Sequence, residues 1–146
     1  MEQMLETQGI DITVAQGLRT WAEQEALYAQ GRTVPGHIVT NARGGYSWHN
    51  FGLAVDVYPE NLADITAAPN IDWNPDHPVW KAMEQVGVSL GLESGATWIR
   101  LVDAPHFQLR GSLQALGAPD DNVRAIFQQN GNLDDVWQAA GLMNAG

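Results

Sequence analysis

Two stretches of the chain hold residues whose types and spacing could do chemistry. Ser47-Trp48-His49-Asn50-Phe51-Gly52-Leu53-Ala54-Val55-Asp56-Val57-Tyr58 sets a histidine and an aspartate seven residues apart. Asp103-Ala104-Pro105-His106-Phe107 sets an aspartate three residues before a second histidine. Imidazole nitrogen and carboxylate oxygen are both ligands that zinc accepts, and two ligands alone do not hold a catalytic ion. His49, Asp56 and His106 together would supply three protein ligands and leave the fourth position to water, the arrangement of a catalytic rather than a structural site. Two roles fit Asp103: a general base toward that water, or a carboxylate that orients a ligand histidine.

The elements that must position these groups follow from the surrounding pattern. Gly52–Tyr58 reads as a strand, with Leu53, Val55 and Val57 on one face and Gly52, Ala54 and Asp56 on the other. Asp56 then projects from a face kept clear by small residues, and His49 lies in the loop leading in. In a regular strand Asp103 and His106 would face opposite ways. Pro105 pushes Ala104 into an extended conformation, so a loop can instead turn Asp103 back toward the same site.

Upstream, Met1, Met4 and Leu5 share a helical face that Gly9 stops, and the abrupt opening leaves room for a preceding helix. Ile10–Leu18 alternates as a strand. Thr20 is a good N-cap with Glu23 completing a capping box, and the helix ends at Gly31. Residues 33–46 and 59–75 are rich in Gly, Pro, Asn and Asp and read as loop. Asp76 or His77 caps a helix with Pro78 in its first turn and one apolar stripe of Val79, Met83, Val86 and Leu90, ended by Gly91. Thr97–Val102 and His106–Leu109 are strand candidates; Asp121–Gln129 and Leu133–Ala140 are short helices. Trp21, Tyr28, Trp48, Trp80 and Trp98 are read as packing residues, and His37 and His77 as non-ligands.

The expectation is one domain over residues 1–146, with a metal core at about 10–110 and a helical extension at about 118–146 that caps the sheet or forms one wall of a cleft. Its class is α+β: a small antiparallel sheet carrying the site, packed against helices. The absence of cysteine removes disulfides and thiolate zinc sites, leaving His, Asp and Glu as ligands. Seven basic against seventeen acidic residues, a net charge of −10, argue against nucleic acid or an anionic membrane as partner. No apolar run approaches the roughly 20 residues of a membrane span, and the acidic N-terminus is not a signal peptide.

The pattern Ser47-x-His49-x-x-Gly52-x-Ala54-x-Asp56, followed by Asp103-x-x-His106, closely resembles the LAS zinc peptidases of bacterial cell-wall peptides. These include VanY-like D-Ala-D-Ala carboxypeptidases and the L-alanyl-D-glutamate endopeptidases of phage endolysins. Gly17-Leu18-Arg19-Thr20-x-x-Glu23-Gln24-x-x-Leu27-Tyr28-Ala29-Gln30-Gly31-Arg32-Thr33 and Pro35-Gly36-x-Ile38-Val39-Thr40-Asn41-Ala42-x-Gly44-Gly45 resemble the endolysin-type branch. Glu93-Ser94-Gly95-Ala96-Thr97-Trp98 partly follows the tryptophan- and glycine-rich run of that branch.

The resemblance implies a Hedgehog/D-Ala-D-Ala peptidase-like fold, Zn2+ on His49, Asp56 and His106, Asp103 as base, and Arg19 binding and polarising the scissile carbonyl. Ser47 is implied as a hydrogen-bonding support or substrate contact. The substrate implied is the peptidoglycan stem peptide, cut most simply at L-Ala-D-Glu, with D-Ala-D-Ala carboxypeptidase and a non-catalytic zinc-binding module as alternatives. A monomer acting outside the cytoplasm is expected, held in the cytoplasm before release if it is a phage lysin.

Overall fold

A computed structural model describes residues 1–60, 74–100, 102–109 and 118–142. In chain order its helices are α1 (Glu2–Glu6), α2 (Trp21–Ala29), α3 (Pro78–Ser89), α4 (Asp121–Asn130) and α5 (Leu133–Ala139). Its strands are β1 (Ile12–Gln16), β2 (Ala54–Pro59), β3 (Leu92–Ser94) and β4 (His106–Leu109). Two compact units result, Met1–Gly17 with Val55–Leu109, and Leu18–Ala54 with Arg110–Gly146.

The first unit holds the α+β arrangement expected from the sequence, a four-stranded sheet in the order β1-β2-β4-β3. β1 and β2 are antiparallel, Val14 facing Val57, and a register shift after Val14 sets Gln16 opposite Asp56. β3 and β4 are antiparallel, with Leu92 facing Leu109 and Ser94 facing Phe107. Alternation along β4 sends Phe107 into the core while His106 and Gln108 share the other face. That core joins Leu5, Ile10, Val57, Trp80, Met83, Val86, Ala104 and Phe107. Burying a side chain the size of Phe107 contributes about 1.5–3 kcal/mol.

Helix α3 starts where its chemistry says it should. His77 is the cap, its Nδ1 accepting from the Val79 N–H at 3.3 Å, and Pro78 occupies a first-turn position that needs no donor. Its Gly87 is required by packing: an added Cβ would lie 2.4 Å from the Phe107 ring.

Two expectations need correction. Leu90 does not complete the apolar stripe; it is the C-cap and stays exposed, while Trp80 and Gly87 join Met83 and Val86 on the buried face. The strand expected at Thr97–Val102 is not formed among its described residues. The strand lies upstream at Leu92–Ser94 and runs into a 3-10 turn, Gly95–Thr97, capped by Ser94 Oγ on the Ala96 N–H at 3.2 Å. Much of the loop expected at 59–75 lies outside the described residues.

The second unit is built on aromatics. Trp21 stacks on Phe127 at 5.6 Å, and Phe51 sits edge-on to both. Thr20 caps α2 in a full capping box, its Oγ1 accepting from the Glu23 N–H at 3.2 Å while Glu23 Oε2 accepts from the Thr20 N–H at 2.8 Å. From α5 the Trp137 indole donates to the Phe51 carbonyl at 2.7 Å. The C-terminal helices therefore pack on the turn that carries His49.

Candidate metal centre

His49 lies in a 3-10 turn, Trp48–Phe51, whose four residues are all buried. Ser47 is its cap: Ser47 Oγ accepts from the His49 N–H at 3.4 Å. Asn50, 2% exposed, bonds in both directions. Its Oδ1 accepts from the Gly45 N–H at 3.0 Å and the Ser47 N–H at 3.3 Å, and its Nδ2 donates to the carbonyls of Arg19 at 2.9 Å and Thr20 at 3.3 Å. Gly52 closes the turn in the left-handed region at φ +66°, a conformation a β-carbon would strain. The chain then enters β2 and reaches Asp56.

Arg19 is tied to the same turn, since its N–H donates to the His49 carbonyl at 2.9 Å. Its guanidinium Nη1 donates to Gln24 Oε1 at 2.7 Å. Gln24 is fully buried, and its Nε2 donates to the Ala42 carbonyl at 2.8 Å and to Thr40 Oγ1 at 3.3 Å.

His106 opens β4. The turn before it is closed by the His106 N–H on the Asp103 carbonyl at 3.1 Å, and the Asp103 N–H donates to the Gly95 carbonyl at 3.0 Å. That turn is how the proline-containing loop carries Asp103 next to His106. Gly95 has no room for a side chain, because a Cβ there would sit 2.3 Å from the Asp103 carbonyl oxygen. Trp98 packs its ring on the His106 imidazole, centroids 5.0 Å apart, and is itself held by Nε1 donating to Glu93 Oε1 at 2.9 Å.

The imidazole of His106 has Nδ1 at 3.2 Å from Asp56 Oδ1 and Nε2 at 3.0 Å from Gln108 Oε1. Burial by itself lowers its pKa, but the hydrogen bonds to Asp56 and Gln108 and the charges of Asp56 and Asp103 outweigh burial and raise it. The Tyr58 hydroxyl is also pushed up, by burial first and then by the charges of Asp56 and Asp103.

One ligand atom from each of His49, Asp56 and His106 lies within 4.8 Å of the others, so the three could hold a metal ion. Two ligands on a tetrahedral zinc with bonds of roughly 2.0–2.1 Å are roughly 3.3 Å apart. The 3.2 Å from His106 Nδ1 to Asp56 Oδ1 fits that spacing, and two nitrogens with one carboxylate oxygen form a donor set zinc accepts. His37 and His77 stand outside this group. Asn50, Gln24, Gly95 and Gln108 are supports that no role was read for in the sequence. The signal for them was faint: Gln24 and Gly95 fall inside recognisable runs, and Gln108 follows His106 at strand spacing.

An α+β domain with a two-histidine, one-aspartate cluster defines a class of candidate metalloproteins. The family described as VanY, D-alanyl-D-alanine carboxypeptidase, matches residues 1–97, and the chain belongs to that family. Over 106 residues the chain is 39% identical to the peptidoglycan L-alanyl-D-glutamate endopeptidase CwlK of Bacillus subtilis strain 168, covering 69% of this chain and 62% of that protein. The chain thus spans a little under two thirds of the length of that relative. A solved structure, the L-Ala D-Glu endopeptidase ChiX of Serratia marcescens, is 26% identical with a TM-score of 0.42, over 69% of this chain and 68% of that one. Among the described residues no helix is long and apolar enough to cross a membrane.

Proposed function

We propose that this chain is a zinc metallopeptidase that hydrolyses the L-alanyl-D-glutamate bond of the peptidoglycan stem peptide, acting on the wall outside the cytoplasm. The observation that carries the proposal is the cluster of His49, Asp56 and His106, within 4.8 Å of one another, in a chain of the VanY family. Identity of 39% to CwlK supports the choice of bond.

Zinc, when bound, supplies a Lewis acid for the scissile carbonyl and lowers the pKa of a water toward neutrality. The Asp103 carboxylate takes a proton from the attacking water as the C–O bond forms, then passes it to the leaving amine as the C–N bond breaks. Arg19 turns its guanidinium toward the carbonyl oxygen and stabilises the negative charge that develops there. Gln24 limits the swing of that guanidinium through Nη1. Ser47 supports the turn bearing His49.

The test is mass spectrometry of a synthetic stem pentapeptide after digestion, with zinc measured on the same sample. Free L-alanine with a peptide beginning at D-glutamate is the expected product. Release of a terminal D-alanine would replace this reading with the carboxypeptidase one, which the matched family description favours. Stoichiometric zinc without hydrolysis of any peptide offered would leave a binding module.

A further inference from the structure

The Gln108 side chain is 3% exposed on β4, and the proposed peptidase chemistry assigns it nothing. It lies two residues beyond His106, on the same face of the strand, while Phe107 between them fills the core. Buried polar side chains are hydrogen-bonded, and this amide meets the imidazole: Oε1 is 3.0 Å from His106 Nε2. An amide oxygen can only accept, so Nε2 must carry the hydrogen. In a neutral imidazole the lone pair is then on Nδ1, the nitrogen 3.2 Å from Asp56 Oδ1. The opposite tautomer would put hydrogen where a ligand atom is required.

We infer that Gln108 is a positioning residue that fixes the tautomer and ring orientation of His106 so that Nδ1 is presented as the metal ligand. This rests on the metal-centre reading above. Strand geometry favours it, because β4 pairs with β3 and sets Gln108 opposite Glu93, the residue that also holds Trp98 against the same imidazole. The ring meets an acceptor at Nε2 and an indole tilted at 45° to it.

The experiment measures Zn2+ affinity by chelator competition on wild type, Gln108→Met and Gln108→Glu, with long-range 15N–1H NMR of the histidine rings in the zinc-loaded wild type. Methionine keeps the volume and removes the acceptor; glutamate keeps an acceptor. Loss of a metal-ligand support typically costs about 10–100-fold in affinity. Gln108→Met should weaken zinc binding by about that factor, Gln108→Glu should stay within about threefold of wild type, and His106 should show a protonated Nε2. Wild-type affinity in a folded Gln108→Met, or hydrogen on Nδ1 in the wild type, overturns the inference while the metal centre stands. A wild type that takes up no zinc removes the metal centre and this inference together. The NMR arm needs only the wild type, so a misfolded variant does not spare the inference.

Discussion

Gln24, fully buried, accepts a 2.7 Å hydrogen bond from the guanidinium of Arg19 five residues earlier. The same amide donates to the Ala42 carbonyl, so one side chain joins the start of α2 to the loop that leads into Ser47. Hydrogen bonds to charged groups are worth about 1.5–3 kcal/mol, and stranding the partner costs more than the bond contributes. Gln24→Met should therefore lower stability by about 2 kcal/mol. On the peptidase reading it should also reduce kcat while zinc content is unchanged. Denaturant melts and metal analysis check the two halves. A variant with wild-type kcat would remove the positioning role of Gln24.

Asp103 and His106 are three residues apart but should fail differently. On the proposed reading His106→Ala removes a zinc ligand, so zinc and hydrolysis are both expected to go. Asp103→Ala should keep zinc and lose turnover by about 10²–10⁴-fold, the usual contribution of a general base. Measuring metal stoichiometry and rate on both proteins decides it. Full hydrolysis by Asp103→Ala would end the base assignment, and equal zinc in His106→Ala the ligand assignment.

Gly95 has the Asp103 carbonyl where its β-carbon would be, 2.3 Å away, with Asp103 Cβ and His106 Cβ each at 3.1 Å. These are backbone and first side-chain atoms, which cannot swing aside. Gly95→Ala should displace the Asp103–His106 turn and cost about 1–3 kcal/mol as overpacking does. Thermal melts of the metal-free protein and a crystal structure of the variant read the two effects; an unchanged turn with unchanged stability would contradict the close approach.

Glu25 anchors the loop ahead of Ser47 through Arg43 Nε at 3.1 Å and the Gly44 N–H at 2.9 Å. The Arg43 hydrogen bond first, and the Gly44 N–H next, hold its carboxyl below the usual glutamate value of 4.5. A depressed folded pKa means the stabilisation is present above the unfolded value and is lost as pH falls through the folded one. The Tm difference between wild type and Glu25→Gln should be largest near neutral pH and shrink on acidification below about pH 4. A difference that grows in acid would reverse the sign and the account.

Much of this protein is local and could be read directly. Thr20 with Glu23 and His77 with Pro78 start helices through atoms a few residues apart, so side-chain chemistry along the chain is enough to place them. The alternation around Asp56 likewise marks a strand, although it begins at Ala54 rather than Gly52, because Gly52 closes the 3-10 turn in the left-handed region. The histidines and aspartate of the candidate centre were legible because ligand chemistry restricts residue type severely.

The sequence was silent where contacts are distant. Ligand chemistry nominated Asp56 and His106 for one ion, but what brings them together across fifty positions is that β2 and β4 are neighbours in the sheet, and periodicity does not encode which strands adjoin. The strand expected at Thr97–Val102 moved to Leu92–Ser94 because Gly95 must approach Asp103 and the chain turns there. Leu90 fitted the helical period yet falls at the helix end, where it stays exposed. Gln24 and Gln108 look like ordinary surface residues in a string of letters. Burial by remote segments turns each into an obligate hydrogen-bond partner, because a polar group removed from water must find another.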